Sequence, residues 1–273
     1  SFPTRRSSDL SIAGVIMIIQ SLFAWFAGAS FVLAISGAKE IGPDNTQYRE
    51  VYNCVEEMKI AAGVPMPRVY IIHDHSPNAF ATGRNPKDGR VAVTTGLLEV
   101  LNREELQAVI AHEIGHIKNR DILFQTIVGI MVGMIAILSD FVLRVVVWGG
   151  LARSRDNKGG GAAAVMIIGL IFAILAPIIA QLVRMAISRQ REYLADASGA
   201  EFTRNPMALA SALAKISGTP IKLARANHGT AHMWISDPFA VASHAAGAFS
   251  THPPIPKRIE RLMAIGNQQG MQR

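Results

Sequence analysis

Between Leu106 and Ile117 the chain spaces its apolar residues as a helix does, and inside that run it sets His112-Glu113-x-x-His116. Four residues make about one helical turn, so both imidazoles leave the same face and can meet one ion. Neutral imidazole suits zinc, and Glu113, one residue round, falls beside the coordination position a water would take. There it can remove that water's proton. Two histidines at this spacing also arise on ordinary helices, so the reading requires a third ligand from elsewhere in the chain.

The run Ser188-Arg189-Gln190-Arg191-Glu192-Tyr193-Leu194-Ala195-Asp196 offers one. Glu192 and Asp196 are four residues apart and share a helical face. A Glu192 carboxylate would complete a His112, His116, Glu192 set and leave the fourth position for water. Asp196 then suits the outer ring nitrogen of a ligand histidine, His112 for preference, whose tautomer it would fix. The plainer alternative is a solvated charge pair on a surface helix. Asp121 lies nine residues past His112, about half a turn out of phase, and is assigned a structural or helix-end role.

The two runs are separated by apolar sequence. Half of the 273 residues are hydrophobic and 17% are charged, against about 25% charged in a typical soluble domain. The excess falls in three blocks: Leu10 to Ser36, Ile122 to Leu138 and Ala162 to Ile187. The first exceeds the roughly 20 residues needed to cross a bilayer. The other two, with Asp140 and Arg144 able to pair and Pro177 as a kink, read as a helical hairpin that leaves the catalytic region and returns to it.

The organisation expected is therefore 10–38 as a transmembrane helix and its exit, 39–121 as the first part of a protease domain, 122–187 as a transmembrane hairpin, and 188–273 as the second part. Residues 1–9 lack an initiator Met and fit neither a signal peptide nor a span, and are set aside as a remnant foreign to the fold. The net charge of +7 raises nucleic acid as a partner. No basic run exceeds two residues and no basic-aromatic stripe exists, so no nucleic acid is expected, and the charge suits anionic lipid headgroups. Cys54 is the sole cysteine, which excludes an intrachain disulfide.

The polar segments read as small elements. Tyr48 to Ala61 is an amphipathic helix ended by Gly63, and Arg68 to Ile72 is a strand leading to His73 and His75, a polar strand end. Asn78 to Gly83 and Arg90 to Thr94 form a β-hairpin around Asn85-Pro86-Lys87-Asp88-Gly89. Its first arm, Asn78, Ala79, Phe80, Ala81 and Thr82, can serve as a rail on which an extended substrate adds by main-chain hydrogen bonds. Gly96 to Val100 begins a short helix. Asn102 caps the zinc helix with Glu105 at the capping-box position. Asn205-Pro206 starts a core helix, and Ile255 to Ala264 forms a short one. Gly218 to Ser250 is loop-like and covers the site, with His228 and His232 in a surface loop.

These motifs together resemble the HtpX-type membrane zinc metalloproteases, related to the type I CAAX prenyl proteases. The resemblance rests on Asn78-Ala79-Phe80-Ala81-Thr82-Gly83, the His112-Glu113-x-x-His116 helix, Ser188-Arg189-x-x-Glu192-Tyr193-x-Ala195-Asp196, and Ser250-Thr251-His252-Pro253-Pro254 with Arg258-Ile259-x-x-Leu262. It covers Leu10 to about Leu262. It implies a mainly α fold with a small β-hairpin or sheet, a gluzincin-like metalloprotease domain and transmembrane helices. It implies one zinc per chain on His112, His116 and Glu192, with Glu113 as acid and base. The activity implied is cleavage of unfolded or damaged membrane proteins in quality control, from a bacterial inner membrane with the site facing the cytoplasm.

Two features sit less easily with that family. Arg153, Arg155 and Lys158 in the hairpin loop weigh mildly against a cytoplasmic site. Family members usually show two N-terminal spans where one is readable here, as a truncated start would leave. In the tail, His252 can donate to a developing oxyanion and Arg258 can add a fixed positive charge; the alternative is a rigid turn before a helix. Two other functions remain open on sequence: a membrane scaffold with a structural zinc site, and a prenyl-protein protease. A structural site ordinarily has four protein ligands and no use for Glu113.

Overall fold

The computed structural model of the chain describes residues 29–121, 160–219 and 253–271 without interruption, with residues 15, 19 and 26 and short runs between 123 and 143. A helical stretch at 29–35 leads into strand β1 (Lys39–Ile41), helix α1 (Arg49–Ala62) and strand β2 (Arg68–Ile72). Strands β3 (Ala79–Thr82) and β4 (Arg90–Thr94) follow, then helices α2 (Thr95–Val100) and α3 (Arg103–Lys118). Beyond them come α4 (Gly160–Thr203), α5 (Pro206–Gly218) and α6 (Ile255–Met271). The architecture is mainly helical with one small sheet, as the sequence led us to expect.

The sheet order is β1-β2-β4-β3, with β2 and β4 parallel and the two outer pairs antiparallel. Both faces are covered, which is why β2, β3 and β4 are buried almost throughout. Val69, Ile71, Ala79, Ala81, Val91 and Val93 face the main core. Their alternate neighbours Tyr70, Ile72, Phe80 and Ala92 pack with Leu33 from the 29–35 stretch. The expected hairpin is present as the β3–β4 pair, joined through a 3-10 turn whose Asn85 side chain accepts from the Lys87 and Asp88 amides. β1 was not anticipated. It has three residues, two of them exposed, so no alternation marks it, and its pairing with β2 is decided across the fold.

Helix α3 lies against the sheet and is pinned at its start. Asn102 and Glu105 form the expected reciprocal capping box. The same Glu105 carboxylate accepts from Ser211 Oγ at 2.6 Å and Lys215 Nζ at 2.7 Å on α5. One side chain therefore both caps α3 and fixes α5 to it. Ile110, Ile114, Leu209 and Leu213 are fully buried between these elements and contribute about 2 kcal/mol each.

Helix α4 is continuous over 44 residues and runs through Pro177. The boundary read at 187/188 falls inside it, so the third apolar block and Glu192 belong to one rigid element. The final helix runs to Met271, past the Ala264 end read from sequence. Among the described residues no helix is long and apolar enough to cross a membrane. The expectations for residues 1–9, for most of 10–28, for the 144–159 connection, for 220–250 with His228 and His232, and for His252 lie outside the described residues.

Candidate metal centre

Helices α3 and α4 meet through small residues. A methyl group on Gly115 would lie 3.2 Å from Ser198 Cβ and 3.3 Å from the Ala195 carbonyl oxygen, so the helical backbones approach closely. That approach brings Glu192 over the face carrying His112 and His116. The two Nε2 atoms are 3.1 Å apart, and Glu192 carboxylate oxygens lie 3.7 Å from His112 Nε2 and 3.6 Å from His116 Nε2. Ligand atoms of the three residues fall within 4.8 Å of one another.

The outer nitrogens decide what this cluster can hold. His112 Nδ1 is 3.0 Å from Asp196 Oδ1 and His116 Nδ1 is 2.7 Å from Asp121 Oδ2. A carboxylate beside Nδ1 favours the tautomer that frees Nε2 for a metal, and both Nε2 atoms face Glu192. Ligand atoms gathered this closely from three residues suit a shared cation. Two imidazoles and one carboxylate are a donor set suited to zinc with one position open.

Burial tunes the surrounding charges. Arg258 is fully buried and donates to both Asp196 oxygens, Nη2 to Oδ1 at 2.7 Å and Nε to Oδ2 at 2.9 Å. Its Nη1 is also 3.2 Å from Glu192 Oε2. Burial alone pushes the Asp196 carboxyl up, but Arg258 and His112 overcome that and hold it down at about 2. Burial lowers the His112 imidazole below its ordinary value, which favours the neutral ring a metal needs. Glu113 is 2% exposed. Burial drives its carboxyl up to about 7, against the pull of His116, Arg258 and a hydrogen bond with the Ala81 backbone.

The structure thus gathers His112, Glu113, His116, Glu192, Asp196 and Arg258 at one point. Arg258 spends its guanidinium on Asp196 and Glu192, and its Nη2 also lies 3.4 Å from His112 Nε2. The rail residues lie alongside: β3 is an edge strand of the sheet, and Ala81 contacts Glu113. Asn78 precedes the strand, buried, with its amide donating to Thr94 Oγ1 at 2.9 Å. The contact between Asp121 and His116 was missed from sequence. The phase argument carried a single helix past Lys118, whereas α3 ends there and Arg120 takes a left-handed φ of 56°. That turn resets the phase and swings Asp121 back under His116, where it also pairs with Arg191. The left-handed residue is an arginine, so nothing in the sequence announced it.

A model of peptidase family M48 matches residues 45–265. The chain belongs to peptidase family M48. It is 48% identical over 259 residues to a protease HtpX homolog of Thermoanaerobacter pseudethanolicus, covering 94% of this chain and 85% of the relative. A protease HtpX homolog of Tropheryma whipplei is 49% identical, with 89% and 81% covered. One from Listeria monocytogenes is 47% identical, with 93% and 86% covered. Among solved structures, Ste24p of S. mikatae superposes with a TM-score of 0.57 at 19% identity, covering 93% of this chain and 58% of that longer one, a likeness of fold. Family membership makes the chain a metalloendopeptidase, and M48 metalloproteases are zinc-dependent.

Proposed function

We propose that this M48 member is a membrane-embedded endopeptidase that holds one zinc ion on His112, His116 and Glu192. Its substrates are unfolded or damaged membrane proteins, and its role is quality control at a bacterial inner membrane. The observation that carries the chemistry is the convergence of His112, His116 and Glu192 ligand atoms within 4.8 Å of one another beside the buried Glu113. Bound zinc supplies Lewis acidity at the scissile carbonyl and lowers the pKa of its water. Glu113, its carboxyl poised near neutrality, accepts the proton from the attacking water and returns it to the leaving amine. Asp196 holds the His112 imidazole, and Arg258 holds Asp196 and Glu192 in register. Strand β3, at the edge of the sheet, aligns the substrate main chain along Asn78 to Thr82 without reading its side chains, which suits a protease of unfolded segments.

The membrane reading rests on surface chemistry. Ile167, Ile171, Ile174, Ile178 and Leu182 along α4 are each about half exposed, and recur at helical spacing on one stripe. The stripe covers about 24 Å of the helix, and an exposed apolar surface of that extent suits contact with lipid better than water. Similar residues stand exposed at Met131, Met134 and Leu138. The resemblance to HtpX-type proteases supports a cytoplasm-facing site.

The test is zinc content and hydrolysis of an unfolded membrane protein in detergent, wild type against Glu113→Gln, purified under chelator with zinc added at assay. The expected result is about one zinc in each protein and cleavage by the wild type alone, with a loss of at least 100-fold in the variant. Zinc in both with equal cleavage removes Glu113 from the mechanism. Zinc in both with cleavage by neither favours a scaffold with a structural site.

A further inference from the structure

Both metal-facing histidines are backed by the same sequence of partners, an aspartate and then an arginine. For His112 these are Asp196 and Arg258. For His116 they are Asp121 and Arg191, to which the peptidase reading assigns no metal contact. His116 Nδ1 and Asp121 Oδ2 are 2.7 Å apart, and Asp121 is 1% exposed. Arg191 ion-pairs with Asp121 and donates through Nη2 to the Asn119 carbonyl at 2.5 Å, at the end of α3. Its guanidinium also stacks 5.3 Å over the Phe124 ring.

We propose that Asp121, clamped by Arg191, is the positioning residue for His116, holding the ring proton on Nδ1 and turning Nε2 towards Glu192. Resting on the metal reading above, the assignment adds a role for two residues outside the ligand set. Arg191 immediately precedes Glu192 on α4, so the residue that places the third ligand also places the clamp on the second. A shift of α4 along α3 would move Glu192 and slacken the hold on His116 together. His116 needs this support more than His112 does. Its side chain is 13% exposed against 1% for His112, so packing constrains it less and the hydrogen bond decides its orientation. An outer carboxylate of this kind typically accounts for 10–100-fold in metal affinity.

The test compares wild type, Asp121→Asn, Asp121→Glu and Arg191→Met in full-length protein in detergent. Zinc affinity is read by competition with a chromophoric chelator, and the His116 tautomer by nitrogen NMR of the metal-free protein. The expected result is Nδ1–H at His116 in the wild type and zinc binding weakened about 10–100-fold in Asp121→Asn. Asp121→Glu is expected to recover part of the loss, and Arg191→Met to lose less than Asp121→Asn because the carboxylate remains. A clamp that only ties α3 to α4 gives a different pattern, a lower melting temperature with zinc affinity unchanged in the folded fraction, and overturns the proposal. Should Asp121→Asn not fold, the wild-type tautomer decides alone: a proton on Nε2 overturns it. Failure of the metal reading itself shows separately, as absence of zinc from the wild type.

Discussion

Gly199 of α4 faces the backbone of His112 so closely that a methyl group on it would lie 3.1 Å from the His112 amide nitrogen and 3.3 Å from its Cα. The neighbour is main chain and cannot swing aside. Ala is ordinarily favoured over Gly within a helix by about 1 kcal/mol, yet here Gly199→Ala must push α4 away from the metal helix. The expected net cost is about 1–3 kcal/mol, with weaker zinc binding because Glu192 moves with α4. Gly266→Ala is the control, since its nearest neighbour is the flexible Met207 Sδ at 3.3 Å. Thermal unfolding and zinc titration of both variants check this, and a Gly199→Ala protein of undiminished stability and affinity removes the close approach from the account.

Arg258 balances two buried carboxylates, Asp196 and Glu192. Replacing it by Met keeps volume but strands both charges, so Arg258→Met is expected to destabilise the protein by about 3–5 kcal/mol. Arg258→Lys retains charge without the two-pronged donation and should fall between. Unfolding in detergent measures all three. Equal stability of the Met and Lys variants would show that the charge itself matters little.

Glu105 gives a pH signature away from the metal. Burial pushes its carboxyl up, but hydrogen bonds from Lys215, Ser211 and the Asn102 amide outweigh it, and the value lies below the ordinary 4.5. The unfolded chain therefore takes the proton first as pH falls. Stability from Glu105 is complete above about pH 4.5 and is lost as pH drops through the lower folded-state value. Glu105→Gln should lower stability at neutral pH by about 1–3 kcal/mol and flatten the acid limb below pH 4.5. An unchanged acid limb places the proton uptake elsewhere.

Metal removal should be visible in stability without any substrate. A ligand that binds only the folded state stabilises it by about 2.7 kcal/mol at 100 times its dissociation constant. Zinc is thus expected to raise the melting temperature of wild type and of Glu113→Gln alike, and chelator to reverse it. His116→Ala should show no zinc-dependent shift. A shift that persists in His116→Ala points to a different set of ligands.

What could be read before the fold was known depended on range. The capping box of Asn102 and Glu105, the β3–β4 hairpin and the grouping of His112 with His116 are set within a few residues, and each was legible. Asp121 was misplaced for the converse reason. Its angle about the helix was computed correctly for a helix that does not continue, because Arg120 adopts a conformation its side chain does not advertise. β1 escaped because a three-residue strand carries no period of its own.

The sequence by itself determined the chemistry: two imidazoles one turn apart, a glutamate between them, and a second carboxylate pair at helical spacing. Side-chain identity and the 3.6-residue period suffice for that. Only the tertiary structure decided how that chemistry is held. It made α4 one helix from the apolar block to Glu192, set Arg258 from the far end of the chain between Asp196 and Glu192, and brought Arg191 onto Asp121. These contacts join residues distant in sequence through close packing and burial of charge, and such energies exist only once the helices have met.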